Sequence, residues 1–289
     1  MKFCFVILHY RTLKETNKCL QFLKGLDNQD DIQIIVVDNG SKDGSLKVLA
    51  DNMKEESNIL FVEAEYNVGF AKGNNLGYTI AKYKYQAQYI VMMNSDVFIQ
   101  QKEFIRLIEE IYGQTNFDIL GPDIITKAGE HQNPLMLVHD NIGRINKTIF
   151  LNRIRFFATF LPIDLKKLFK NQKKSNAKIM VQPDPNMDRV QVENCPLHGA
   201  CLIFSGNFVS LHEFPFYPDT FLYGEEDILY YLGQKEKEKF VYSPRVQVLH
   251  MEDASTNLCF SDYKKKKRFI TKHSSKSLKV LKELMNRSK

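Results

Sequence analysis

The first 120 residues alternate between compact apolar runs and segments with apolar residues at helical spacing. Residues 3–10, 32–37, 59–62 and 89–93 read as buried strands. Between them, Leu13, Leu20 and Leu23 recur at helical intervals, and residues 45–53, 73–83 and 104–112 also read as helices. Thr12-x-x-Glu15 has the form of a capping box, in which each side chain satisfies a free amide of the first turn. Strands that are apolar on both faces and separated by helices predict a parallel sheet covered on both sides. In such sheets ligands gather at the carboxyl ends of the strands. The polar clusters His9-Tyr10-Arg11, Asp38-Asn39 and Asn94-Ser95-Asp96 all fall at those ends.

The second half is less regular. Residues 152–178 mix eight Lys/Arg and one acid with Phe156, Phe157, Phe160, Leu161 and Phe169. Residues 181–193 hold two prolines and read as an irregular connection. There follow an apolar stretch at 198–204, an acidic helix start at Glu225-Glu226-Asp227 and a strand at 246–250.

Composition is that of an ordinary globular chain, 44% apolar and 26% charged over 289 residues, which excludes a disordered, collagen-like or coiled-coil rod. No segment approaches the ~18 apolar residues of a spanning helix, and the N-terminal run is too short for a secretory signal. Five cysteines without a C-x-x-C pair predict free thiols in a reducing compartment. The net charge of +6 is unevenly spread: residues 264–289 carry +10 and the rest −4. A basic tail of this kind seeks phosphates, on a membrane surface or on nucleic acid. Ile270, Leu278, Leu281, Leu284 and Met285 recur near helical spacing within it, so it reads either as a helix lying on an anionic leaflet or as one packed on the body. Its single aromatic, Phe269, offers little for base stacking, which speaks against nucleic acid.

Five segments could carry chemistry. Asp38, at a strand end before Asn39-Gly40-Ser41-Lys42-Asp43-Gly44, could accept from a base or ribose, or simply order a turn. The run from Asn67 to Gly77 has three glycines and three asparagines, which suits a loop approaching a ligand closely; it is neither a Walker A loop nor a clean G-x-G-x-x-G. Asn94-Ser95-Asp96 has the form of a short metal-binding triplet, with a capping role for Asp96 as the alternative. Acids at Glu225-Glu226-Asp227 complement a helix dipole, yet their crowding also raises a carboxyl pKa toward that of a general base. His250, at a strand end, is either a metal ligand or a structural histidine.

Taken in order, these motifs resemble an inverting glycosyltransferase of family 2, in its bacterial rhamnosyltransferase-like branch. The resemblance rests on Asp38-Asn39-Gly40-Ser41, Asn67-Val68-Gly69-Phe70-Ala71, Gly73-Asn74-Asn75, Asn94-Ser95-Asp96, Gly199-Ala200, Glu226-Asp227 and His250, and it spans roughly residues 3–256. It implies an α/β fold of the GT-A type, a Rossmann-like, mostly parallel sheet flanked by helices, over residues 1–263. A nucleotide-sugar half would end near 120 and an acceptor half would follow, with 264–289 as a basic amphipathic tail. It assigns the nucleotide sugar to Tyr10, Asp38, Asn67, Gly69, Asn74, Asn94, Ser95, Asp96 and Gly199. A divalent cation, Mn2+ or Mg2+, falls to Asp96 and His250. Asp227 is the implied general base, with Glu226 as the fallback. Arg11 stands where the family often has Asn, and the Asp and Arg common downstream of the ED pair are missing from the Ile-Leu-Tyr-Tyr-Leu run after Asp227.

The implied reaction moves a sugar from a UDP- or dTDP-sugar to a hydroxyl of a glycan, lipid-linked in bacterial surface polysaccharide (capsule or lipopolysaccharide) synthesis. The implied setting is cytoplasmic, at the inner face of the membrane, with the tail on anionic lipid and a homodimer left open. Two rivals compete with this reading. A nucleotidyltransferase usually places a glycine-rich loop after the first strand, where this chain has His9-Tyr10-Arg11-Thr12. A non-catalytic nucleotide- or sugar-binding module would bind without turnover.

Overall fold

The computed structural model describes residues 2–137, 139–160, 189–252 and 262–287. The expected strands form as β1 (Phe3–His9), β2 (Ile32–Asp38), β3 (Ile59–Glu63) and β4 (Tyr89–Asn94). They alternate with α1 (Leu13–Lys24), α2 (Ser45–Asn52) and α3 (Phe70–Tyr83). After them come β5 (Val97–Phe98), α4 (Phe104–Thr115), β6 (Ile119–Thr126), α5 (Ile142–Ala158), β7 (Val192–Glu193) and β8 (Cys201–Phe204). The remainder is α6 (Gly206–Leu211), α7 (Glu225–Glu236), β9 (Phe240–His250) and α8 (Tyr263–Arg287).

The strands join one nine-stranded sheet in the order β3-β2-β1-β4-β8-β6-β9-β5, with β7 on β9. β3, β2, β1 and β4 are parallel; β8 runs antiparallel to both β4 and β6. The chain moves from β1 outward to β3, then returns to place β4 on the other side of β1. The carboxyl ends of β1 and β4 therefore flank the switch point, where an open α/β sheet has its crevice.

Strand alternation divides the core between the two faces. Phe3, Phe5 and Ile7 pack with Leu20 of α1, Leu49 of α2 and Phe104 of α4, while Cys4 and Val6 pack with Ala71 and Tyr78 of α3. A third cluster unites Ile145 and Ile149 of α5, Ile228 of α7 and Leu278, Leu281 and Met285 of α8. The tail thus forms the expected amphipathic helix, and its apolar stripe is turned inward onto the body. The rest of the aromatic-basic stretch, residues 161–178, lies outside the described residues, as does most of the expected connection at 181–193. Cys4, Cys19, Cys195 and Cys201 are free and buried.

Two local expectations are corrected. Thr12 does precede α1, but its hydroxyl makes no capping bond. It meets the Ser95 hydroxyl at 2.8 Å and Thr16 at 3.2 Å instead, so a side chain expected to cap a helix ties β1 to the end of β4. The glycine-asparagine run is helical from Phe70, three residues earlier than expected. Its glycines serve helix-on-sheet packing: a Cβ at Gly73 would lie 2.7 Å from Leu8 Cδ1, and one at Gly77 would lie 2.3 Å from Val6 Cγ1. Gly69 caps the helix at φ 90°, against the Phe221 backbone, and is the position that needs glycine's conformational freedom. Gly77→Ala is expected to cost about 1–3 kcal/mol, because the β-branched Val6 is fully buried and has nowhere to move. Urea denaturation checks this; an unchanged midpoint would contradict the packing role.

Candidate active site

The carboxyl ends of β1, β2 and β4 open into a cavity of about 830 Å³. Three groups of residues line it. Tyr10, Arg11, Asn39, Asn67 and Gly69 come from the ends of β1 and β2 and the start of α3; Asn94, Ser95, Asp96, His198, Gly199 and His250 from the ends of β4 and β9 and the segment before β8; and Phe221, Glu225, Glu226 and Phe269 from the start of α7 and from α8.

The first group is ordered by the buried carboxamide of Asn39. Asn39 Nδ2 donates to Asn67 Oδ1 (3.2 Å) and to the Gly69 carbonyl (3.1 Å), and its Oδ1 accepts from the Val68 amide (3.0 Å). Asp38 lies behind this group, 2% exposed, with Oδ1 accepting from the amide (3.0 Å) and hydroxyl of Ser41. Ser41 Oγ in turn meets the Arg11 amide at 2.9 Å. Asp38 therefore shapes the loop that presents Arg11. Asn74 is turned into α3, where Nδ2 donates to the Phe70 carbonyl (3.0 Å).

The second group joins two strand ends. The Met251 amide donates to the Asp96 carbonyl (3.0 Å), which sets His250 beside Asp96, with Nε2 3.5 Å from Oδ1. A hydrogen-bond chain orients this imidazole. A carboxylate only accepts, so Gln132 turns its NH2 to Glu252 (2.9 Å) and its carbonyl oxygen to His250 Nδ1 (2.7 Å). Nδ1 must then carry a proton, which leaves Nε2 as the atom facing Asp96. A lone-pair nitrogen and a carboxylate oxygen at that separation repel unless a proton or cation stands between them. An oxygen and an imidazole nitrogen converging in this way suit a divalent cation such as Mn2+, and the chain behind them is the outer support that metal-binding histidines usually have. A trio, His212, Glu236 and Glu238, lies at the opposite end of the strands, near the amino ends of β6 and β9. There the His212–Glu238 contact raises the histidine pKa, as an ion pair does.

His198 stands next to this pair, its ring 5.9 Å from that of His250. Burial and then the neighbouring His250 push its pKa down to about 4, so it is neutral at pH 7. Its Nδ1 accepts from the Ala200 amide (3.1 Å), so the proton sits on Nε2 as a donor.

The acids at the start of α7 diverge. Glu226 reaches the cavity, and its Oε1 accepts from the Gly199 amide (3.3 Å). Burial, and further the charge of Asp227, raise its pKa above that of an ordinary glutamate. Glu225 is 3% exposed, and burial followed by the Glu226 charge pushes its pKa to about 8, so it is mostly protonated at neutral pH. Asp227 turns away from the cavity, with Oδ2 2.6 Å from His139 Nδ1. Of the two acids expected as base, Glu226 and not Asp227 therefore lines the cavity. Counted from Phe221, an F-x-Y-x-E-D pattern places its final carboxylate at position 226, a signal the sequence did hold.

Of the residues nominated from sequence, the fold brings Tyr10, Asn67, Gly69, Asn94, Ser95, Asp96, Gly199, Glu226 and His250 to one cavity. Asp38, Asn74 and Asp227 support it from behind or beside. Gln132 and His198 were not nominated; neither sits in a motif of its own.

A family model described as glycosyl transferase family 2 matches residues 4–181. The glycosyltransferase GlyG of Streptococcus pneumoniae is 28% identical over 109 residues, 38% of this chain and 33% of that protein. The low-salt glycan biosynthesis hexosyltransferase Agl10 of Haloferax volcanii is 24% identical over 124 residues, 43% of this chain and 37% of that protein. The chain thus spans about a third of the length of the curated relatives it matches. Among solved structures, S. aureus TarS 1–349 superposes with a TM-score of 0.54 over 87% of this chain and 60% of that one, at 14% identity. The α/β architecture is therefore that of the GT-A fold.

Proposed function

Since the chain belongs to glycosyl transferase family 2, we propose that it transfers a sugar from a nucleoside-diphosphate sugar to a hydroxyl of a glycan acceptor, with inversion at the anomeric carbon. The observation that carries this reading is the cavity itself, which gathers Asp96, His250 and Glu226 at the sheet's switch point.

The nucleotide lies along the Tyr10–Arg11 and Asn67–Gly69 segments, and Arg11 supplies a cation there. The diphosphate reaches Asn94, Ser95 and Asp96. Asp96 and His250 would hold a divalent cation, which neutralises the charge that develops on a diphosphate leaving group. His198 adds an uncharged Nε2–H donor beside it. Glu226 takes the proton from the acceptor hydroxyl as that oxygen attacks the anomeric carbon and the diphosphate departs from the opposite face. Gly199 holds the carboxylate in place, and burial keeps it basic enough for the task. The donor is a UDP- or dTDP-sugar, and the acceptor a lipid-linked glycan of surface polysaccharide synthesis, following the family resemblance.

The reading is tested by incubating the full chain with a panel of UDP- and dTDP-sugars plus Mn2+ and measuring free nucleoside diphosphate. Release from at least one donor is expected; silence across the panel would overturn it. A separate prediction concerns the support behind His250. Gln132→Leu is expected to weaken Mn2+ binding by about 10–100-fold, as loss of outer-shell support does. Electron paramagnetic resonance of free Mn2+ reads this, and unaltered affinity would contradict the tautomer assignment.

A further inference from the structure

We propose that the outer face of α5 is a docking surface for an anionic lipid bilayer. The sequence points to the basic tail as the membrane element, but the apolar stripe of α8 is consumed by packing: Leu278, Leu281 and Met285 are buried against Ile145 and Ile149 of α5. The opposite face of α5 is apolar as well. Phe150 (61% exposed), Ile154 (50%) and Phe157 (67%) follow one another at steps of four and three and so share one stripe, which Phe160 (63%) extends just past the helix end. A surface helix normally buries one apolar face and shows water a polar one. Large exposed apolar patches mark interaction sites.

The charge around this face selects the occupant. Lys147 shares the stripe and Arg153 borders it, both exposed. On the neighbouring α8, Lys265, Lys272, Lys276 and Lys279 are exposed at intervals that put them on one side of the helix. Where the two helices meet, Lys267 and Arg155 crowd each other, and burial plus that neighbouring cation lower the Lys267 pKa. An apolar stripe set among cations matches a leaflet of acyl chains under phosphate headgroups. No helix of the described residues is long and apolar enough to cross a membrane, so the contact lies in the plane of the interface.

The surface also leads to the cavity. The Arg268 guanidinium lies 4.8 Å from the centre of the Phe160 ring, and the next residue, Phe269, lines the cavity together with Phe221. An acceptor seated in the bilayer would thus be presented at the rim beside Phe269. This deepens the lipid-linked reading above, while the docking test is independent of it.

The full chain is to be sedimented with vesicles of phosphatidylcholine alone and with 30% phosphatidylglycerol added. Selective binding to the anionic vesicles is expected. Combined Phe150→Glu, Ile154→Glu and Phe157→Glu should reduce it by at least about tenfold, and combined Lys272→Glu, Lys276→Glu and Lys279→Glu should weaken it and blunt its salt dependence. Both variants should keep the wild-type melting temperature and diphosphate release from soluble donor. The chain has no tryptophan, so Phe157→Trp gives a single reporter whose emission should shift to the blue with anionic vesicles. Absence of binding by the wild type, binding unaffected by the Phe150/Ile154/Phe157 variant, or an unmoved emission would overturn the proposal. So would light scattering that shows a dimer which this variant splits, since the face would then join two copies. Loss of diphosphate release with docking intact would count against the donor reading alone.

Discussion

Glu226→Gln is expected to lower kcat by about 10²–10⁴-fold while leaving donor binding nearly intact, because the amide keeps the shape of the side chain but cannot take a proton. The Gly199 amide would still find an oxygen acceptor at position 226, so the local structure should survive the change. Asp227→Asn should change kcat far less, since its carboxylate faces His139 rather than the cavity. The two variants together separate the roles of the adjacent acids. In the wild type, kcat should fall as pH drops through the raised Glu226 pKa, because a protonated carboxyl is no base. The acid limb should therefore lie higher than an unperturbed glutamate would place it. A fully active Glu226→Gln enzyme would remove the base assignment.

The second large effect is expected at Asp96. Asp96→Ala should reduce kcat/KM by at least about 10³-fold and abolish tight Mn2+ binding, since the site loses its carboxylate and His250 alone is a weak site. The backbone link from Met251 to the Asp96 carbonyl does not involve the side chain, so the strand ends should stay joined. Chelation of divalent cations should reproduce the kinetic loss in the wild type. If Asp96→Ala binds Mn2+ as the wild type does, the metal lies elsewhere, and the trio of His212, Glu236 and Glu238 becomes the place to look.

The parallel half of the sheet was legible because β1, β2 and β4 are almost wholly buried. Continuous apolar runs bounded by polar triplets report such strands directly. Part of the cavity lining was legible for the same reason, since Tyr10 and Asn94-Ser95-Asp96 lie at strand ends that the runs themselves mark. Where the reading departed from the structure, a distant partner decided the outcome. Thr12 abandons capping for Ser95, 83 residues away. Gly73 and Gly77 answer to Leu8 and Val6 across a helix–sheet contact. The tail's stripe is amphipathic whether it faces lipid or α5, so periodicity alone could not tell the two apart. Gln132 joins the site through hydrogen bonds to His250 and Glu252, 118 and 120 positions on, for which a single sequence holds no signal.

On this reading the cavity grips a nucleoside diphosphate through Asp96 and the Tyr10–Arg11 and Asn67–Gly69 segments. Calorimetric titration of the full chain with UDP and with dTDP, with and without Mn2+, tests it most directly. The account predicts saturable binding of one of them that Mn2+ strengthens and Asp96→Ala removes. Failure of both to bind, or binding indifferent to Mn2+ and to Asp96→Ala, would contradict it.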